Sequence, residues 1–233
     1  MQIYFRKISV IILTLCLLSG CENSIPEAKV HIPDGAFLDA LIASGVDQNG
    51  DSLISHPEAE DTEAVRLPPS GISDLTGLEA FINLDSLTIT LNPLKGIDLS
   101  SNTALRYLEI TSSELTSLDL SDNRLLEVLI CGRNSLTELD LSNNQAMHTM
   151  VCNNNLLTSL DLSPIRSLSK MISCGNQLTG LDISMHSALI LIGVDNMPML
   201  TEVCVWTLPF PPVGVTVLQG FSPNITYTGT CSK

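Results

Sequence analysis

The chain has 233 residues, of which 38 are Leu and only 9 aromatic, and charged residues make up 15%. So much aliphatic side chain buries enough apolar surface to offset chain entropy, which excludes disorder. Eleven Lys and Arg against 25 Asp and Glu leave a net charge of −14, which excludes a nucleic-acid backbone as partner.

Arg6 and Lys7 precede an apolar run from Ile8 to Leu18 that is too short to span a bilayer and ends in small residues, as a secretory signal does. Its end, Leu18-Ser19-Gly20-Cys21, resembles the lipobox of bacterial lipoproteins, in which the Cys after the cut is acylated and becomes the mature N-terminus. A generic secretory signal cut elsewhere is the other reading. The resemblance implies a signal over residues 1–20, lipidation at Cys21 and attachment to a membrane. Each buried acyl CH₂ contributes about 0.8 kcal/mol, so several chains on one Cys anchor permanently. Glu22, where an Asp would imply inner-membrane retention, leans the resemblance towards the outer membrane. Residues 21–33 read as a polar tether, and the last residues of the chain resemble no wall-sorting tail.

Residues 34–64 read as a small helical cap built around an ion-binding type of loop. From Asp47 to Glu58 the spacing is that of a twelve-residue EF-hand loop, with Asp47, Asn49 and Asp51 at positions 1, 3 and 5. Leu53 would offer its carbonyl at position 7, Ser55 a hydroxyl or a water at 9, and Glu58 both oxygens at 12. These hard oxygens suit Ca²⁺. Ser52 stands where Gly is usual, at a position needing positive φ, and no second hand follows. A polar turn without an ion is the competing reading. Phe37, Leu38, Leu41 and Ile42 suggest the entering helix, and Pro57 to Glu60 the leaving one.

The strings LKGIDL, LTSLDL, LTELDL, LTSLDL and LTGLDI begin at residues 94, 115, 136, 157 and 178, always 21 apart. Between them recurs a second pattern, as in Leu126/Leu129/Cys131/Asn134/Leu136. The joint pattern LxxLxLxxNxL is that of the leucine-rich repeat, extending over residues 65–200 with a 22-residue opening turn. The two apolar positions of each LxL point inward, and stacked coils form one parallel sheet on a concave side. The LDL strings predict a second short extended segment on the opposite side. The expected fold is an α/β-type repeat solenoid, right-handed, with coils of 21–22 residues and little helix. The Asn column (Asn92, Asn134, Asn155, Asn176) reads as satisfying backbone groups in the turns. The Asp column (Asp98, Asp119, Asp140, Asp161, Asp182) reads as local capping, with ion binding as the alternative.

Cys131 and Cys152 fall on inward positions and read as core filler. Cys204 and Cys231 sit in the tail, residues 201–233, which reads as a terminal cap around Trp206 and Phe210. A disulfide between them is expected in a compartment that permits one. His31, His56, His148 and His186 are scattered, and no HExxH, CxxC or GxSxG string occurs, so nothing suggests an enzyme.

Lipobox, tether, EF-like loop and repeats together resemble the leucine-rich-repeat surface lipoproteins of Gram-negative bacteria, with internalin-like repeat length. The resemblance implies a lipid-anchored outer-membrane or cell-surface module that binds a protein or glycan. A structural spacer, or a subunit of an outer-membrane assembly, is the alternative. The residue between the inward LxL positions faces out from the concave sheet, giving the column Thr88, Glu109, Ile130, Val151, Ile172, Gly193. Beside it run Ser86, Tyr107, Val128, Thr149, Lys170 and Leu191. The apolar members, Val128, Ile130, Val151, Ile172 and Leu191, together with Tyr107, form the candidate binding face. Scattered surface aliphatics suited to strands are the bland reading.

Overall fold

In the computed structural model, residues 28–94, 96–222 and 224–230 are described. The proposed signal, the Cys21 lipidation site, most of the tether and Cys231 lie outside them.

The N-terminal unit is held by carboxylates. Helix α1 (Gly35–Ala43) starts at Asp34, whose carboxylate accepts from Phe37 N–H at 3.1 Å. The other Asp34 oxygen accepts from the Ser73 and Asp74 amides at 2.9 and 3.1 Å, so one side chain both caps the helix and ties it to the first coil. Phe37 and Leu41, fully buried, turn the helix's apolar face onto the solenoid. Helix α2 (His56–Glu60) is only five residues long and opens with a capping box between Ser55 and Glu58.

Eight strands then stack in parallel: β1 (Ala64–Leu67), β2 (Ser86–Thr90), β3 (Tyr107–Thr111), β4 (Val128–Ile130), β5 (Thr149–Val151), β6 (Lys170–Ile172), β8 (Leu191–Gly193) and β10 (Thr216–Leu218). Ser86, Tyr107, Val128, Thr149, Lys170 and Leu191 are successive partners, each 21 residues after the last. The first step, Ala64↔Ser86, takes 22 residues and the last, Leu191↔Thr216, takes 25. The inward positions form continuous buried columns: Leu87, Leu108, Leu129, Met150, Met171, Ile192, and beside it Ile89, Ile110, Cys131, Cys152, Ser173, Val194. Their regular spacing and compact, non-aromatic side chains let each coil repeat the packing of its neighbour, which is why so few aromatics suffice.

The LDL segments do alternate inward, with Leu118 and Leu120 buried around exposed Asp119, yet they do not pair along most of the molecule. Only the last becomes a strand, β7 (Gly180–Asp182), joined by β9 (Glu202–Cys204) and β11 (Thr226–Thr228). Paired or not, each of these segments carries the same local bond at its Asp. Asp98, Asp119, Asp140, Asp161 and Asp182 each accept from the amide two residues on, always Ser, at 2.9 Å. The tail continues both sheets, with β10 extending the concave one and β9 and β11 the other.

Two asparagine ladders lock the turns. In the expected one, Asn134, Asn155 and Asn176 each donate to a carbonyl of the preceding coil and to one of their own, while Oδ1 accepts an amide of the preceding coil. A second ladder, not expected, runs through Asn102, Asn123 and Asn144, whose Nδ2 groups donate to Leu78 and Phe81, Leu99 and Asn102, and Leu120 and Asn123 carbonyls. Ile165 interrupts it and His186 resumes it, its Nε2 lying 3.1 Å from the Leu162 carbonyl. Burial lowers the His186 pKa, so the ring stays neutral in this core position.

Just ahead of the first ladder, Leu91, Ser112, Arg133, Asn154, Gly175 and Asn196 all take positive φ, from 52° to 67°, at 21-residue intervals. Each coil therefore leaves the sheet through a left-handed residue, whatever its side chain.

Candidate binding face

The outward side chains of β2 to β6 and β8 make one continuous concave surface, and the register sets which residues meet. Val128 sits beside Thr149, Ile130 beside Val151, and Val151 beside Ile172. Parallel strands are about 4.8 Å apart, so β-branched neighbours in register cover each other's flanks. Tyr107, Val128, Ile130, Val151, Ile172 and Leu191 are accordingly half-buried rather than freely exposed, and Thr88 and Gly193 in the same column are buried. At the N-terminal end the face is polar. Tyr107 donates its hydroxyl to Glu109 at 2.8 Å, and partial burial with that carboxylate beside it raises the phenol's pKa. Arg66 and Lys170 stand exposed in the two columns, Lys170 in register between Thr149 and Leu191.

Along one flank of the sheet runs an ion-pair ladder: Arg106 reaches Asp85 at 3.5 Å and Glu127 at 2.6 Å, and His148 lies 3.9 Å from Glu127. Along the other flank, Thr90, Thr111, Gly132, Arg133 and Asn153 line a shallow groove of about 330 Å³. A side chain on Gly132 would place its Cβ 2.6 Å from Asn153 Oδ1, so Gly there keeps the groove open. Cys174 is half-buried, accepts from the Asp195 amide at 3.3 Å, and has its pKa pushed up by burial. Cys131 and Cys152 are buried free thiols, the latter pushed up to about 12. Cys204 is disulfide-bonded; its expected partner, Cys231, lies outside the described residues.

The Asp47–Glu58 loop has the turn geometry that its spacing implies. Asp47 accepts from Gly50 and Ser52 amides at 2.7 and 2.9 Å, Asn49 from Asp51 at 2.9 Å, and Asp51 from Leu53 at 3.0 Å. Ser52 takes φ 64°, as position 6 demands. Residues 28–30 lie against the loop, through the antiparallel bridge Lys29↔Ser55 and the Lys29–Asp51 ion pair at 2.6 Å. Glu58, however, turns its carboxylate onto protein donors. One oxygen accepts from Gln48 and Asn49 amides at 2.9 and 3.2 Å, the other from the Ser55 amide and hydroxyl, both at 2.8 Å. Its four acceptor sites are filled. Burial alone would raise the Glu58 pKa, but these bonds overcome it and bring the value to about 2. In this arrangement Glu58 does what an ion would do, gathering the loop. Among the described residues, no three His, Cys, Asp or Glu side chains gather as a metal-ligand set.

A larger hollow, about 590 Å³, lies on the convex side among Asp119, Glu138, Asp140 and Asp161. Asp119, Asp140 and Asp161 already cap serine amides, which is the capping reading rather than the ionic one. Among the described residues no helix is long and apolar enough to cross a membrane.

No protein-family model matches the chain, and no curated protein matches it in sequence. Solved structures do match its shape. The chain is similar to internalin InlF from Listeria monocytogenes, at 16% identity and a TM-score of 0.65 over 89% of this chain and 75% of that one. It is also similar to internalin C2 of the same organism, at 16% identity and TM-score 0.51, covering 84% of this chain and 94% of that one. The leucine-rich repeat domain of APL1B gives 18% identity and TM-score 0.52, covering 84% and 58%. The fold is that of a leucine-rich-repeat solenoid.

Proposed function

We propose that this leucine-rich-repeat solenoid is a non-enzymatic binding module that holds a partner protein on its concave sheet. The observation that carries the reading is the row Ile130, Val151 and Ile172, set side by side by strand register with Val128 and Leu191 in the flanking column of the same face, on a chain of net charge −14. A strongly acidic protein keeps a connected apolar group at its surface where a partner covers it. The face has no deep cleft to enclose a small molecule, and the half-buried β-branched side chains are already rigid, so little entropy is lost on docking. The reading includes lipid anchoring at Cys21 on the outer surface of a bacterium, supported by the Leu18-Ser19-Gly20-Cys21 string alone.

The test is the double variant Val151→Asp/Ile172→Asp in a cross-linking pull-down from the native envelope. The variant should melt within a few degrees of wild type, because both side chains face outward, and should lose a saturable protein partner by at least tenfold. A folded variant that keeps its partner places the site elsewhere. Recovery of glycan instead of protein would change the ligand class, and self-association alone would favour the spacer role.

Calcium at the Asp47–Glu58 loop is a separate proposal, supported by the ligand spacing and by the positive φ of Ser52. Binding would require Glu58 to exchange amide donors for the ion. Millimolar Ca²⁺ should then raise the melting temperature above that in EDTA, since a ligand of the native state stabilises by RT ln(1 + [L]/Kd). Asp47→Ala should remove the rise. A melting temperature indifferent to Ca²⁺ would make the loop a hydrogen-bonded turn.

A further inference from the structure

We propose that two copies of this chain associate tail to tail through the C-terminal end of the solenoid, β10 against β10 across a two-fold axis. The two ends of the described solenoid differ. At the N-terminal end α1 packs against β1, and Phe37 and Leu41 are fully buried there. At the other end β10 has β8 on one side and, among the described residues, no strand on the other, and β11 likewise has only β9. Inward positions that are 0–1% exposed within the solenoid become only partly covered here, at Val215, Val217, Ile225 and Tyr227. Leu208, Leu218 and Phe221 are 55%, 44% and 77% exposed. Trp206, Phe210 and Tyr227 form an aromatic cluster just beneath, with centroid separations of 5.3 and 4.9 Å.

Charge selects the occupant. Residues 203–230 contain no Asp, Glu, Lys or Arg, although the whole chain carries −14. Asp195 and Glu202 belong to the preceding coil, and Asp195 is engaged with the Asn196 and Phe221 amides. Two copies repel one another by their acidic surfaces, and the strands at this end, β10 and β11, bring no charged side chain. An edge strand without a charged residue is the kind that pairs. The strand Thr216-Val217-Leu218 can pair antiparallel with its own copy, which makes a closed, isologous contact. The covered N-terminal end prevents a head-to-tail filament.

Sedimentation equilibrium of the full chain in density-matched non-ionic detergent tests this. A dimer with Kd on the order of 10 µM or tighter is expected, and it should tighten as salt screens the acidic surfaces. Thr216→Lys/Leu218→Lys should weaken it at least tenfold without moving the thermal melt. Phe221→Ser, off the strand, should weaken it also, and guards against misfolding of the lysine variant. Val151→Asp/Ile172→Asp should leave it intact. A monomer at about 100 µM, a dimer unaffected by both edge variants, or a dimer lost in the concave variant would each overturn the proposal.

Discussion

Asn155→Ala is expected to cost about 3–5 kcal/mol and to lower the melting temperature by about 10 °C, measured by circular dichroism. The Asn155 amide donates to the Cys131 and Cys152 carbonyls, both at 3.0 Å, and its oxygen accepts from Leu136 N–H at 3.0 Å. The side chain is 4% exposed, so water cannot take over those three backbone groups without opening the turn. Asparagine suits the site because it puts two donors and an acceptor on one short arm. Asn155→Leu fills most of the volume but satisfies none of the groups, and should be about as damaging. If the leucine variant recovers wild-type stability, cavity formation rather than hydrogen bonding is the larger effect.

Glu58→Gln is expected to lower stability at neutral pH by about 2 kcal/mol, taking a discounted share of the pKa shift as free energy. The amide cannot accept at the atom it converts to NH₂, so two of the four donors lose their partner. The wild type carries its own control. The folded pKa, about 2, lies below the ordinary value of 4.5, so Glu58 binds its proton less readily when folded. Its stabilisation is therefore full above about pH 4.5 and is lost as pH falls towards 2. Urea midpoints between pH 6 and 2 should show that loss in wild type and a shallower acid limb in the glutamine variant. Parallel acid limbs would mean that the carboxylate contributes nothing beyond a turn.

The solenoid was legible because its signal is repeated: a chance Leu can fall in register once, but the inward columns recur from Leu87 to Ile192. The Asn155 column was legible for the same reason. The Asn102 column was not, since Ser-x-Asn strings at a surface turn look solvated, and only the three-dimensional stack shows Asn123 facing the Asn102 carbonyl. The left-handed column escaped because Leu91 and Arg133 have no preference for positive φ; the stacked turns impose it. Glu58 was ambiguous by its chemistry, because oxygens spaced to surround an ion can equally well surround amides. The apolar column on the concave face was readable from alternation, whereas its half-burial depends on the width of the neighbours across the strand gap. The pairing of β7, β9 and β11 depends on how closely the last coils approach, which no single coil's sequence encodes.

Both ladders reach in one direction. Asn134 serves Ile110, Ser113 and Leu115, Asn155 serves Cys131 and Leu136, and Asn144 serves Leu120 and Asn123: always the coil already made. A polypeptide leaving the ribosome therefore carries, at every length, one newest coil with bare amides and carbonyls, and the next 21 residues bring the side chain that quenches them. Synthesis from the N-terminus and closure of the hydrogen-bond network run the same way. Growth in this order never leaves more than one unfinished turn, whereas a chain folding from its C-terminal end would have to hold each finished coil open until its predecessor arrived.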